Sequence, residues 1–223
     1  MIELKNVSYA YHGALALQDI TLSVQKGSTV ILQGPNGCGK STLLKLLNGL
    51  IFPDAGEYYF EQQRITAGVM QKVAFSKSYH QRVGYVFQSP DVQLFCGSVE
   101  EEIAFGPQQM GFSPEELMRR VEDTLALLNI GHLRYRPPYH LSGGEKKKVA
   151  IACVLAMNPS VWTLDEPMNA LDSKTQLWLI DFLKSLRQAG KTIVVSTHDA
   201  VFARELGDVL VTMDEQHCID SIV

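Results

Sequence analysis

Thr29-Val30-Ile31-Leu32-Gln33-Gly34-Pro35-Asn36-Gly37-Cys38-Gly39-Lys40-Ser41-Thr42-Leu43-Leu44 is the stretch from which the fold can be read. Its first five residues are mostly apolar and do not alternate with polar ones. That is the pattern of a short strand buried on both faces of a parallel sheet. Gly34 to Ser41 then fits G-x-x-x-x-G-K-[ST], and a helix is expected at once over Leu43 to Asn48. Each residue type has a physical reason. Glycines let main-chain N–H groups approach anionic oxygens that a Cβ would keep away. The helix N-terminus adds partial positive charge. Lys40 can reach β- and γ-phosphates, and the Ser41 hydroxyl can ligate Mg²⁺. Strand, loop and helix in this order specify a site for nucleotide phosphates. Its expected members are Gly34, Pro35, Asn36, Gly37, Cys38, Gly39, Lys40, Ser41 and Thr42.

Further apolar runs repeat the theme. Val83 to Phe87, Val161 to Leu164 and Thr192 to Val195 read as buried strands, with helical segments between them. Ile2 to Val7 and Ile20 to Val24 alternate more, as antiparallel strands with one wet face do. Ser113-Pro114-Glu115-Glu116 has the cap, first-turn proline and acids of a helix start. Ser173 is expected to cap a helix with Leu177, Ile180, Leu183 and Leu186 on one side, ending near Gly190. From about Gln88 to Ala150 helical signals dominate, and that stretch reads as an inserted helical subdomain within one 223-residue domain. The core then spans approximately 1–87 and 151–223.

The run Val161-Trp162-Thr163-Leu164-Asp165-Glu166 ends a strand on two acids, and Pro167 breaks it. Buried carboxylates are costly unless they meet a cation. Beside a phosphate loop, Asp165 is suited to the Mg²⁺ shell and Glu166 to polarising the attacking water. Trp162 and Thr163 are unusual inside such a strand, and the Thr163 hydroxyl needs a partner there.

Bulk properties exclude several classes. The formal net charge of −4 lacks the basic excess of nucleic-acid-binding domains. The run Lys146-Lys147-Lys148 reads as a solvated helix face. No run approaches the roughly 20 apolar residues that span a bilayer. Met1 to Lys5 does not read as a secretory leader. The cysteines, Cys38, Cys96, Cys153 and Cys218, are scattered, as expected for reduced thiols.

The phosphate loop and the acidic strand together indicate a nucleotide hydrolase without saying which kind. Leu141-Ser142-Gly143-Gly144-Glu145 discriminates. Two glycines at a helix start make a second anion-binding turn. One nucleotide needs only one phosphate loop, so the second turn suits a nucleotide held by another subunit. Here the chain resembles the ATP-binding-cassette (ABC) ATPases along its whole length. Leu141 to Glu145 is similar to their signature sequence, with Glu145 in place of the usual glutamine.

This resemblance implies a P-loop NTPase (RecA-like) α/β core, an antiparallel β subdomain and a helical signature subdomain. It also implies ATP and Mg²⁺ as ligands and a head-to-tail dimer, in which Ser142, Gly143 and Gly144 close over the partner's ATP. Tyr11 stands where the family stacks an aromatic on adenine, with Tyr9 as its rival. Gln88 matches the glutamine that contacts Mg²⁺ or the attacking water and senses the membrane partner. Asn169-Ala170-Leu171-Asp172 resembles the loop usually read Ser-Ala-Leu-Asp; Asp172 is kept and Asn169 departs. His198 matches the histidine that contacts the γ-phosphate. The implied catalytic set is Glu166, His198, Gln88 and Lys40, and the implied metal set is Ser41, Gln88 and Asp165.

Phe87 to Phe95 and Val99 to Pro107 are similar to the ATPases of energy-coupling-factor importers. Arg136 to His140, with Glu145-Lys146-Lys147, is similar to their cobalt and nickel branch. The resemblance implies transmembrane transporter subunits as partners, a homodimer or a heterodimer with a second ABC ATPase, and a peripheral position on the cytoplasmic face of the cell membrane. Part of the segment from Gln88 to Phe112, which carries Leu94, Phe95, Met110 and Phe112, is expected to line a groove for short helices of that partner. Many relatives have a longer C-terminal tail, which is not expected here. Coiled-coil repair ATPases and two-cassette translation factors do not fit one phosphate loop in 223 residues.

Overall fold

Residues 1–223 are described by a computed structural model. The first strands are β1 (Ile2–Tyr11), β2 (Ala14–Val24) and β3 (Thr29–Gln33), followed by helix α1 (Lys40–Leu47). Next come β4 (Ala55–Phe60), β5 (Gln63–Arg64), α2 (Ala67–Met70), α3 (Val73–Arg82) and β6 (Val83–Val86). No strand lies between β6 and β7 (Val161–Asp165); the intervening chain forms α4 (Pro90–Gln93), α5 (Val99–Met110), α6 (Pro114–Leu127) and α7 (Gly143–Met157). The chain finishes with α8 (Ser173–Gln188), β8 (Thr192–Ser196), α9 (Ala200–Leu206), β9 (Val209–Met213) and β10 (Ile219–Ile222).

The alternating first strands pair as antiparallel neighbours in a four-stranded sheet of order β2-β1-β4-β5. Their apolar sets, Ile2, Leu4 and Val7 with Leu17, Ile20, Leu22 and Val24, are buried. The unbroken apolar runs form a six-stranded sheet of order β10-β9-β3-β8-β7-β6. It is parallel except for β10. Successive residues of β3 serve opposite faces: Val30 and Leu32 pack with α1 and the first sheet, while Ile31 packs with α7 and α8. Because β3, β8, β7 and β6 are neighbours and parallel, their carboxyl ends lie along one edge. That edge is where open α/β sheets bind ligands.

Thr163 finds its partners far away in sequence. Asn48 Nδ2 donates to its hydroxyl oxygen at 2.7 Å, and the hydroxyl donates to Gly84 O at 2.9 Å. This couples α1, directly behind the phosphate loop, to β7 and β6. Thr163→Val keeps the shape and removes both bonds, while Asn48 Nδ2 keeps Leu44 O. Urea unfolding should show a loss of about 1–2 kcal/mol. Trp162 is fully buried, edge-on to Phe182, and its Nε1 has no hydrogen-bond partner.

Three local expectations are corrected. Asp172, not Ser173, caps α8, accepting from Thr175 N at 2.9 Å. The buried face of that helix is Thr175, Leu179, Phe182, Leu183 and Leu186, whereas Leu177 is 64% exposed. The lysine run is not a uniformly solvated face: Lys147 is 1% exposed and Lys146 pairs with Asp91 at 2.6 Å. The expected cap at Ser113 is present, its hydroxyl accepting from Glu116 N at 3.2 Å.

Candidate functional site

The loop between β3 and α1 is wedged between backbone on two sides. Gly39 is the N-cap of α1 with φ 110°, and a Cβ there would stand 2.3 Å from Ala16 O. A Cβ on Gly34, at φ 146°, would stand 2.4 Å from Met213 O. No side chain caps α1, so its first N–H groups are left for an anion. Lys40 is buried, and its Nζ donates to Gly34 O at 2.8 Å and Pro35 O at 3.0 Å. The Cys38 side chain turns inward and is buried, with Sγ 3.8 Å from Lys40 Nζ.

The acidic pair sits at the end of β7, beside β8. Asp165 is buried, and Oδ1 accepts from Ser196 Oγ at 2.6 Å and Oδ2 from the Tyr85 hydroxyl at 3.3 Å. Burial, and then the adjacent carboxylate, push the Tyr85 hydroxyl well above the usual tyrosine range, so it stays a donor. Glu166 follows in a left-handed conformation, φ 41°, which a non-glycine residue adopts under strain. Its N–H is shared between Ser196 Oγ at 2.8 Å and Ser196 O at 3.1 Å. Glu166 Oε2 is 2.9 Å from His198 Nδ1. Ser196 and Tyr85 were not singled out from sequence. A polar residue ending the apolar β8 was the one available signal for Ser196.

A cleft of about 700 Å³ gathers Gly34, Pro35, Asn36, Gly37, Gly39, Lys40, Ser41, Thr42, Gln88, Glu166, Asn169 and His198. Four strand ends thus bring one loop, one exposed amide, one carboxylate and one imidazole to a common space. Asp165 lies behind the cleft, and Cys38 is buried beneath the loop. Tyr11 does not line it; its ring is edge-on to Tyr9, with centroids 4.9 Å apart.

Ser41 and Gln88 line the cleft, and Asp165 does not. No cluster of three or more His, Cys, Asp or Glu side chains is assembled that could hold a metal by itself. A hydroxyl (Ser41), an amide (Gln88) and a carboxylate (Asp165) are hard oxygen donors. Mg²⁺ is typically held by such a sparse set completed by phosphate oxygens and water.

Ser142, Gly143 and Gly144 do not reach this cleft. Ser142 caps α7 in a reciprocal box: Glu145 Oε2 accepts from Ser142 N at 2.8 Å and from its Oγ at 2.7 Å. Those two donors hold the Glu145 carboxyl below the usual carboxylate range, so the acid that departs from the signature pattern is ionised. Ser142 and Gly143 are exposed, while Ser142, Gly144 and Asp172 line a second cleft of about 560 Å³.

Fold and cleft define a P-loop nucleoside triphosphatase. Residues 17–169 match the family described as ABC transporter. A putative ABC transporter ATP-binding protein of Clostridium acetobutylicum is 49% identical over 98% of this chain and 91% of its own length. The nickel import ATP-binding protein of Lactiplantibacillus plantarum is 44% identical over 99% of this chain and 92% of its own. Proteins named as energy-coupling factor transporter ATP-binding proteins also match. Among solved structures, a dimeric ATP-binding cassette in a post-hydrolysis state with ADP and Pi aligns with TM-score 0.90 and 30% identity, over 100% of this chain and 98% of that one. The chain belongs to the ABC transporter ATP-binding family and is an ATPase whose ATP hydrolysis is coupled to transport. No helix is long and apolar enough to cross a membrane.

Proposed function

We propose that this chain holds Mg²⁺-ATP in the phosphate-loop cleft as one half of a head-to-tail dimer, and drives uptake of nickel or cobalt ion through separate membrane subunits. One observation carries the dimer. The second phosphate-facing turn, Ser142 to Gly144, lines none of the cleft that holds the phosphate loop, Gln88, Glu166 and His198. A turn built for phosphate yet absent from its own chain's site suits the site of another. The dimeric cassette that aligns with this chain supports the same reading.

In this mechanism the N–H groups from Gly34 to Thr42 bind the phosphates. Lys40 exchanges its hold on Gly34 O and Pro35 O for phosphate oxygens. Ser41, Gln88 and, through water, Asp165 would hold Mg²⁺, which would supply charge neutralisation on the phosphates. Ser196 and Tyr85 keep Asp165 oriented. Glu166 takes the proton of the attacking water, and His198, now against Glu166, supports the γ-phosphate. Tyr11 stacks on adenine after its ring swings from Tyr9.

The nickel or cobalt reading rests on the motifs around Phe87 to Pro107 and Arg136 to His140, and on the likeness to a protein named for nickel import. It is tested by purifying the chain with its membrane subunits and measuring ATP-driven uptake of nickel, cobalt and vitamins into vesicles. Uptake of a vitamin and of neither metal would overturn it. The membrane partner is proposed to seat in a cleft of about 410 Å³ lined by His80, Tyr85, Phe87, Val92, Phe95, Phe105 and Met157. On this reading the chain sits peripherally on the cytoplasmic face of the cell membrane. Of the expected groove residues, Phe95 lines that cleft and Leu94, Met110 and Phe112 do not; Leu94 packs against the core and Phe112 lies under the Arg120 guanidinium.

Phe95 is 68% exposed and edge-on to Phe105. Phe95→Lys should therefore change stability by less than about 1 kcal/mol. It should abolish uptake while basal ATPase activity persists. A thermal melt, an ATPase assay and a vesicle uptake assay on the same preparation check all three.

A further inference from the structure

Lys147 carries a charge where a solvated face was expected. Its side chain is buried under the loop that connects β6 to α4. A buried ammonium is costly unless its N–H groups are satisfied. Lys147 Nζ donates to two main-chain oxygens, Phe87 O at 3.2 Å and Gln88 O at 2.9 Å.

Two further contacts tie α7 to the same segment. Lys146 Nζ meets Asp91 at 2.6 Å. Gln93 accepts from Phe87 N at 3.2 Å and donates to Ala150 O at 2.8 Å. Helix α7 is already packed through Val149, Ala150, Ile151 and Ala152, so the Lys147 bonds are not what anchors it. They act on the loop. The residue they grip, Gln88, presents an exposed side chain to the nucleotide cleft. The helix they come from begins at Ser142 to Gly144.

We propose that Lys147 is a positioning residue: its ammonium, fixed to the Gln88 carbonyl, sets the Gln88 side chain in the nucleotide cleft and ties it to the helix that starts at the signature turn. This rests on the reading that Gln88 acts at the metal or the attacking water. A shift of the signature helix on dimer closure then moves Gln88 in the chain's own cleft through a rigid, polar link.

The test is a mutant cycle on the purified full chain, read as kcat and KM for ATP. Lys147→Met removes the donors and keeps much of the side-chain length. It should lower kcat about tenfold with KM changed less than about twofold, because positioning and not binding is lost. Lys147→Arg keeps a cation with N–H donors and should stay within about threefold of wild type. In a Gln88→Ala background, Lys147→Met should cost less than about twofold more, since residues acting as one unit are not additive. If Lys147→Met gives no cooperative thermal melt, Lys147→Gln takes its place in the cycle, with a loss of about threefold that vanishes over Gln88→Ala. Losses that multiply in the double variant, or an unchanged kcat in Lys147→Met, overturn the role of Lys147. A Gln88→Ala variant with wild-type kcat overturns the reading of Gln88 itself.

Discussion

Glu166→Gln is expected to lower ATP hydrolysis by about 10²- to 10⁴-fold, the range over which a positioned general base contributes, while ATP is still bound. The phosphate loop, Lys40 and Ser41 are untouched by the change. The amide is nearly isosteric and can still meet His198 Nδ1, which lies 2.9 Å from Oε2. The left-handed backbone at this residue is held by Ser196 through the main-chain N–H, which the substitution keeps. What disappears is a carboxylate able to accept the water's proton. A bound but unhydrolysed nucleotide should also hold two chains together. Size-exclusion chromatography with Mg²⁺-ATP should show a lasting dimer in the variant and a transient one in the wild type. A variant that turns over at close to the wild-type rate would sink the assignment of Glu166 as base.

The parts of this site that could be read from sequence are those whose chemistry is local. Gly34 to Thr42 works through contiguous main-chain groups and the helix that follows them. Asp165 and Glu166 are fixed by the end of a single strand. Other parts depend on which segments become neighbours. Ser196 meets Asp165 because β8 lies beside β7 with those two residues in register. Tyr85 meets the same carboxylate because β6 flanks β7 on the other side. Asn48 and Thr163 find each other across 115 positions.

Helix faces were harder for a related reason. Lys147 is buried because the loop at Phe87 and Gln88 folds over that face of α7, and nothing local in Glu145-Lys146-Lys147-Lys148 records it. On α8 the apolar residues are numerous enough to suggest two stripes, and packing against β7 and α9 selects the one without Leu177. Asp172 and Ser173 are both good caps, and the choice falls to the residue whose carboxylate reaches Thr175 N.

Two inactive chains are expected to regain activity when mixed, and this is the sharpest consequence of the head-to-tail arrangement. Lys40→Ala removes the cation whose Nζ now braces Gly34 O and Pro35 O, so the loop loses both its tie and its phosphate contact. Charge-assisted bonds of this kind contribute about 1.5–3 kcal/mol each. ATP affinity should therefore fall by about 10²-fold, and hydrolysis with it. Gly143→Asp acts at the other pole. A Cβ at Gly143 meets nothing within 4 Å, and an acid in the first turn of α7 suits the helix dipole, so the fold should tolerate it. The added carboxylate faces the partner's phosphates and repels them. Each homodimer then has no complete site. In a mixed dimer, one site combines the intact loop of the Gly143→Asp chain with the intact turn of the Lys40→Ala chain. The other site combines both defects. Random pairing makes half of the dimers mixed, and each of those has one complete site of two. An equal mixture should recover about a quarter of wild-type ATPase activity. If each chain completed its own site, mixing would recover nothing, and the separation of Ser142 to Gly144 from the phosphate-loop cleft would need another explanation.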